Sequence, residues 1–278
     1  MTLIHSTEDL INWRSSNPDQ SVAFVPTMGA LHKGHLHLID IARQQCDIVV
    51  VSVYVNALQF GDANDFDKYP RSLDHDYEAS IMAGASIVFA PTPNEMFPED
   101  FDGYLSPSSI ANEFEGASRP GHFAGVVTVV NRLFDLVRPQ VAIFGAKDFQ
   151  QVAVIREMAR SKHPSIKILS VNTIRDADGL ALSSRNARLS PLAREKAKVI
   201  PDALSQLNAV FQTGQQDVSA LKQVALEIFA TQPELVIEYL EIVDRDSLKR
   251  QERAQTDSSV VLFAGIIDGI RLIDNLEL

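Results

Sequence analysis

Residues 22–38 read VAFVPTMGALHKGHLHL. The first four are a short apolar run that ends at Pro26, a turn carrying Gly29 follows, and from Gly34 the apolar residues Leu36, Leu38, Ile39, Ile41 and Ala42 recur close to helical spacing. The reading is strand, tight turn, helix. A turn of this kind aims backbone N–H groups and the positive end of a helix dipole at one point, which suits a phosphate. His32 and His35 are three apart and share a helical face. The dipole there favours the neutral imidazole, which donates one hydrogen bond to a phosphate oxygen and donates it more strongly as negative charge builds in a transition state. Gly29 and Gly34, lacking Cβ, let the turn tighten and a ligand approach. His37 falls on the other face and reads as a surface residue.

Outward from this stretch the chain alternates strands and helices. DIVVVSVYV, residues 47–55, is a continuous run of the kind buried on both faces of a parallel sheet. The pattern predicts a helix over 74–83, strand 86–90, helix 124–137, strand 141–144, helix 149–160 and strand 166–171. Repeated β-α-β units imply an α/β, Rossmann-like doubly wound parallel sheet with right-handed crossovers. Ligands of such sheets sit beyond the carboxyl ends of the strands. There the sequence places PTMGALHKGH, then Asn56 to Gly61, then Gly145 to Gln151. The character changes near Ile174: RDADGLALSSRN reads as a polar loop, helices follow over 193–207 and 218–230, and strands over 237–243, 259–267 and 270–276. This predicts a Rossmann-like domain over residues 1–174 and a smaller C-terminal α+β domain over 175–278, able to act as a lid.

The composition narrows the function classes. The net charge is −11 and no basic run or stripe appears, which disfavours nucleic acid and membrane surfaces as partners. A local cationic pocket can still hold a nucleotide in an acidic protein. Cys46 is the one cysteine, so neither an internal disulfide nor a cysteine zinc site is expected. No secretory leader and no span of about 18 apolar residues is read, and the expected setting is cytoplasmic.

Three further groups carry polar chemistry. Lys147 and Asp148 follow a strand and open a helix, where a lysine pairs with phosphates as a point charge and an aspartate caps or takes a ribose hydroxyl. Gln151 lies one turn on. Ser183, Ser184 and Arg185 offer two hydroxyls and a guanidinium to a polyphosphate. Asn56 and Gln59 have donor and acceptor faces that suit a substrate with hydroxyls and a carboxylate. His122 and Glu115 are additional polar residues of a loop, read equally well as ordinary loop positions.

PTMGALHKGH resembles the HxGH signature of the nucleotidylyltransferase superfamily. PTMGALHKGHLHLI, YVNALQFG, KYPRSLDHD, FEGASRPGHFAGVVTVVNRLF, FGAKDFQQ and RDADGLALSSRN, in this order, resemble the pantothenate synthetase family. The resemblance implies ATP-dependent condensation of (R)-pantoate with β-alanine, giving pantothenate, AMP and pyrophosphate through a pantoyl adenylate. It also implies an ATP-binding turn running Pro26, Thr27, Met28, Gly29, Ala30, Leu31, His32, Lys33, Gly34, His35. His35 resembles the residue assigned as proton donor, with His32 beside it stabilising the reacting phosphorus. Gly145, Ala146, Lys147 and Asp148 are implied to hold ATP, the lysine at the phosphates and the aspartate at the ribose. The Ile174 backbone would face adenine. Leu182, Ser183, Ser184 and Arg185 resemble the counterpart of the KMSKS loop, with Ser183 and Arg185 on the phosphates. Gln59 and Gln151 resemble the glutamines that hold pantoate, with Asn56 close by. Mg²⁺ is implied to enter with the ATP phosphates, without a protein metal site. The family is typically a homodimer.

Three positions depart from the family's usual pattern: Ala57 stands for proline, Ala146 for glutamate and Leu182 for methionine. Ala57 is expected to loosen the loop presenting Asn56 and Gln59, and the other two to be tolerated. Two rival readings remain open at this stage. One is transfer of a nucleotidyl group to a phosphorylated acceptor, with no AMP released. The other is a non-catalytic module that senses ATP.

Overall fold

The computed structural model describes residues 2–278. They divide into two compact units, one running to Ala146 and taking in Gln150–Asn172, the other made of Lys147–Phe149 and Thr173–Leu278.

In the first unit the chain runs β1 (Thr2–Ile4), α1 (Thr7–Ser16), β2 (Val22–Thr27), α2 (Lys33–Arg43), β3 (Ile48–Val53), α3 (Ala63–Asp67), α4 (Leu73–Ala83), β4 (Ile87–Phe89), α5 (Pro93–Met96), α6 (Glu115–Ser118), α7 (His122–Val137), β5 (Val141–Gly145), α8 (Phe149–Lys162) and β6 (Lys167–Val171). Among the described residues these six strands form one sheet in the order β1-β4-β3-β2-β5-β6, every neighbouring pair parallel. Alternation along each strand explains why helices cover both faces. Phe24, Val50, Ala142 and Phe144 join α7 and α8 in one core, through Val126, Val130, Phe134 and Ile155. Ala23, Val25, Val49, Val51 and Ile143 join α2 in the other, through Leu38, Ile39 and Ala42. The α/β doubly wound sheet expected from the sequence is what forms.

β2 is the point at which strand order reverses: the chain adds β3 and β4 on one side and then crosses to β5 and β6 on the other. The crevice at such a switch point, beyond the carboxyl ends of β2 and β5, is where ligands of these sheets bind. Thr27 to His32 and Gly145 to Ala146 occupy those two ends.

The second unit runs α9 (Pro191–Ala197), α10 (Val199–Gln212), α11 (Val218–Phe229), β7 (Val236–Asp244), β8 (Ser259–Ile267) and β9 (Ile270–Glu277), with the strands antiparallel in the order β7-β8-β9. Leu204, Leu207, Leu221, Phe229, Ile242, Val261 and Phe263 form its core. The helix expected over 193–207 is two helices, broken at Lys198. Pro201 is the cause: it has no N–H to give the Ala197 carbonyl, and its ring crowds that carbonyl, so it fits only in the first turn of a new helix. RDADGLALSSRN is also more ordered than a loop. Arg175 bridges Ala181 in antiparallel fashion, Asp176 N donates to the Leu180 carbonyl (2.9 Å), and Gly179 takes the left-handed turn position at φ 84°.

No helix among the described residues is long and apolar enough to cross a membrane.

Candidate active site

The turn after β2 is built by side chains that occupy its backbone donors. Thr27 Oγ1 donates to the Ser52 carbonyl (2.7 Å) and accepts from the Gly29 N–H (3.1 Å). Gly29 (φ 79°) and Ala30 (φ 52°) both take left-handed conformations. This curls the Ala30 and Leu31 N–H groups onto the two oxygens of Asp76, at 3.0 and 2.8 Å. Asp76, on α4, is 1% exposed. A Cβ on Gly29 would stand 2.7 Å from Asp76 Oδ2, so glycine is required there for room as well as for φ. The sequence reading gives the turn's N–H groups to a phosphate. In the structure two of them are engaged by a buried carboxylate, and the turn leads into His32 and His35.

Those histidines cap α2 reciprocally. His32 is the N-cap, and its Nδ1 accepts from the Gly34 N–H (3.2 Å). His35, in the first turn, accepts the His32 N–H on its own Nδ1 (3.3 Å). The pair reproduces with imidazoles the capping box usually made by Ser/Thr and Glu/Gln. An Nδ1 that accepts carries no proton, so the neutral tautomer of both rings holds its hydrogen on Nε2. The rings lie 4.1 Å apart between centroids and tilted by 33°, His32 reaching the pair from the extended cap position and His35 from the first turn, not from one face of a helix that holds both.

The turn after β3 is equally specified. Asn56, 1% exposed, caps the 3-10 turn Ala57–Gln59 by accepting the Leu58 N–H on Oδ1 (3.3 Å). Its Nδ2 donates to Gln59 Oε1 (2.9 Å) and to the Gly125 carbonyl on α7 (3.1 Å). Both amide hydrogens of Asn56 are thus engaged within the protein. Gln59 Nε2 reaches Met28 Sδ at 3.2 Å, which brings three of the residues singled out in the sequence together. Behind them, His122 Nε2 takes a hydrogen bond from Arg119 (3.0 Å), and its Nδ1–H donates to the Gln59 carbonyl (2.9 Å). Of the two glutamines that open α8, Gln150 is structural: it accepts the Glu115 N–H (2.9 Å) and donates to the Ile110 and Glu113 carbonyls (2.9 and 2.8 Å). Gln151 is half-buried.

The second unit gathers the cations. Lys147, Ser183, Arg185, Asn186, Arg271 and Asp274 line one cavity together with Leu180, Ala181 and Ile200. Ser183 caps a 3-10 turn, Ser184–Arg188, by accepting the Arg185 N–H (3.2 Å), and the Asn186 side chain donates to the Ala181 carbonyl (3.0 Å). Leu182 N–H donates to the Ile174 carbonyl (2.9 Å). Lys147 Nζ stands 3.9 Å from Asp148 Oδ1, the lysine mostly buried and the aspartate half exposed. Arg194 braces the hairpin that leads to Ser183 by bonding Asp176 (2.6 Å) and Asp178 (2.7 Å). Burial works against the ionised Asp178, but the Arg194 bond and charge outweigh it and hold this carboxyl below the ordinary range. Among the described residues no group of three or more His, Cys, Asp or Glu side chains is arranged to hold a metal ion.

Residues 2–277 match the family model for pantoate-beta-alanine ligase. The chain belongs to the pantoate-beta-alanine ligase family. It is 42% identical over 275 residues to the pantothenate synthetase of Citrifermentans bemidjiense, covering 99% of this chain and 98% of that one. The crystal structure of pantothenate synthetase from Thermus thermophilus superposes with a TM-score of 0.94 at 42% identity, covering 100% and 99% of the two chains. That of pantoate-beta-alanine ligase from Francisella tularensis, complexed with beta-gamma ATP and beta-alanine, does so with a TM-score of 0.82 at 33% identity, covering 100% and 97%.

As a member of this ligase family the chain keeps its loop after β3 in place without the proline expected at position 57. Ala57 opens the 3-10 turn, and the Asn56–Gly125 and His122–Gln59 bonds pin it on both sides. Ala146 is buried at 5% exposure, so a small side chain fits the start of the Lys147 turn. The reading from sequence assigns no role to Asp76, Gly125, Asp274 or Asn275. Asp76 does lie inside KYPRSLDHD, one of the blocks that carry the family resemblance, and that block is the signal that marks it.

Proposed function

We propose that this ligase joins (R)-pantoate to β-alanine in two steps through a pantoyl adenylate. A carboxylate is a poor acyl donor because its leaving group would be oxide. In the first step a pantoate carboxylate oxygen attacks the α-phosphorus of ATP, the bond from that phosphorus to the β-phosphate oxygen breaks, and pyrophosphate leaves. In the second step the β-alanine amine attacks the acyl carbon, the acyl–oxygen bond breaks, AMP leaves with that oxygen, and the ammonium proton is lost. The observation that supports this reading most is the histidine capping box at the carboxyl end of β2. It holds the two imidazoles side by side with Nδ1 used in capping, which supports a role for the pair beside the charge that develops on the reacting phosphate.

His35 donates to the phosphate oxygens as they gain charge, and His32 supports it. The turn from Pro26 to Gly34 frames the nucleotide, with Gly145 and Ala146 offering backbone at the end of β5. Lys147 takes the polyphosphate together with Ser183, Ser184 and Arg185 of the loop that starts at Leu182, Asp148 takes the ribose, and the backbone of Ile174 faces the adenine. Gln59 and Gln151 hold pantoate, and Asn56 holds Gln59. Mg²⁺ would enter bound to the ATP phosphates and would supply charge neutralisation for the leaving pyrophosphate, beside Lys147 and Arg185. The homodimer and the cytoplasmic setting implied by the resemblance belong to the same proposal.

The test is AMP release from ATP with pantoate and β-alanine each omitted in turn. The expected result is AMP only with both present, matched by pantothenate. Pyrophosphate without AMP on a phosphorylated acceptor would favour nucleotidyl transfer, and ATP binding with no turnover would favour a sensor.

A further inference from the structure

Lys147 is held by its carbonyl as well as used by its ammonium. The Asn275 side chain on β9 donates from Nδ2 to the Lys147 carbonyl at 2.8 Å, across 128 residues of chain. Asn275 is in turn fixed from both directions. Its N–H donates to Asp274 Oδ1 (2.8 Å), and its carbonyl accepts from Arg175 Nη2 (3.3 Å). The same guanidinium grips Asp274 with two bonds, Nη1 to Oδ2 at 2.7 Å and Nη2 to Oδ1 at 2.9 Å, and Nη1 also reaches the Gly179 carbonyl at 3.0 Å. The Asp274 side chain is 3% exposed and Asn275 is buried. A bidentate pair with a buried carboxylate and a half-buried guanidinium is held to a narrow geometry, so it transmits position well.

We infer that Asn275, locked by the Arg175–Asp274 pair, is a positioning residue that sets the backbone of Lys147 and so aims its ammonium for the adenylation step. The inference rests on the reading of Lys147 as a phosphate-binding lysine. All four residues belong to one compact unit, and Lys147 shares a cavity with Asp274, Ser183 and Arg185. Removing the amide donor leaves the Lys147 carbonyl without this partner and lets the turn drift, and a shift of about 1 Å in a positioning group costs up to about 100-fold in rate.

The experiment measures pyrophosphate release from ATP and pantoate with β-alanine left out, where the adenylate forms once per site. The rate constant reads positioning, and the amplitude reads the fraction of folded sites. Asn275→Ala and Asn275→Asp are both made, the second keeping shape while presenting an acceptor to the carbonyl. The expected result is wild-type amplitude with a rate lowered about 10- to 100-fold, and a β-alanine KM changed by less than about twofold in the steady state. Arg175→Lys, which keeps the charge and loses the bidentate grip, should slow the same step, and the Arg175→Lys/Asn275→Ala double variant should be no slower than Asn275→Ala alone. Reduced amplitude at wild-type rate, or additive losses in the double variant, would overturn the inference. Wild-type protein that releases no pyrophosphate would count instead against the adenylate reading.

Discussion

Gly125→Ala tests how closely α7 must approach the turn that carries Asn56 and Gln59. A Cβ at position 125 would stand 2.4 Å from the carbonyl carbon and oxygen of Leu58 and 2.6 Å from the Gln59 nitrogen, where ordinary contact begins at 3.4 Å. The atoms in the way are backbone, so no side chain can swing aside, and the helix and the turn must separate by about 1 Å. That retreat stretches the 3.1 Å bond from Asn56 Nδ2 to the Gly125 carbonyl beyond hydrogen-bond range. Overpacking of this kind costs about 1–3 kcal/mol. At roughly 2–4 °C per kcal/mol, Tm should fall by roughly 2–12 °C. Gln59, bonded to Asn56 at 2.9 Å, moves with the turn, and a displacement of that size should lower kcat/KM for pantoate by about 10- to 100-fold. Melting scans and AMP formation at varied pantoate, at saturating ATP, give both quantities. A variant with wild-type Tm and wild-type pantoate KM would refute the reasoning.

Three other outcomes follow from the geometry. His35→Ala should lower kcat by roughly 10²–10³ while costing only about 1 kcal/mol of stability through the lost cap; an unchanged kcat in steady-state assays would remove His35 from the reaction. Asp76→Asn can accept only one of the Ala30 and Leu31 N–H groups and turns its own NH₂ against the other, so it should cost about 1.5–3 kcal/mol and speed amide exchange at both positions; unchanged exchange would show the turn is held some other way. Tyr54 is buried, and burial pushes its pKa up to about 12, so between about pH 10 and 12 the unfolded chain loses a phenolic proton that the folded chain keeps. The resulting stability is present below about pH 10 and lost as pH rises toward 12, roughly 2–3 kcal/mol in all, and Tyr54→Phe should flatten that part of the alkaline stability curve.

What the sequence makes legible is whatever its local pattern encodes. β2, β3 and β5 stand out because strands buried on both faces leave unbroken apolar runs, and the sheet class follows from their alternation with helices. The three-residue β1 and the weakly amphipathic α1 give no comparable signal, and the pattern from 193 to 207 hides a break that Pro201 imposes. The same limit governs the site. His32 and His35 declare themselves because they stand three positions apart. Asp76 reaches Ala30 and Leu31 across 46 and 45 residues, His122 reaches Gln59 across 63, and Asn275 reaches Lys147 across 128. Hydrogen bonds of that span exist only once the fold has brought the partners together. The turn's N–H groups look open to a phosphate in the sequence for the same reason: the carboxylate that takes two of them lies on another helix.

The central claim, attack of the pantoate carboxylate on the α-phosphorus, is tested most directly with pantoate labelled with oxygen-18 in its carboxylate. Turnover with ATP and β-alanine should transfer one labelled oxygen to the phosphate of AMP, since that oxygen bridges acyl carbon and phosphorus in the adenylate, and leave the other in the amide carbonyl of pantothenate. Unlabelled AMP, or label appearing in inorganic phosphate with ADP as the nucleotide product, would contradict it.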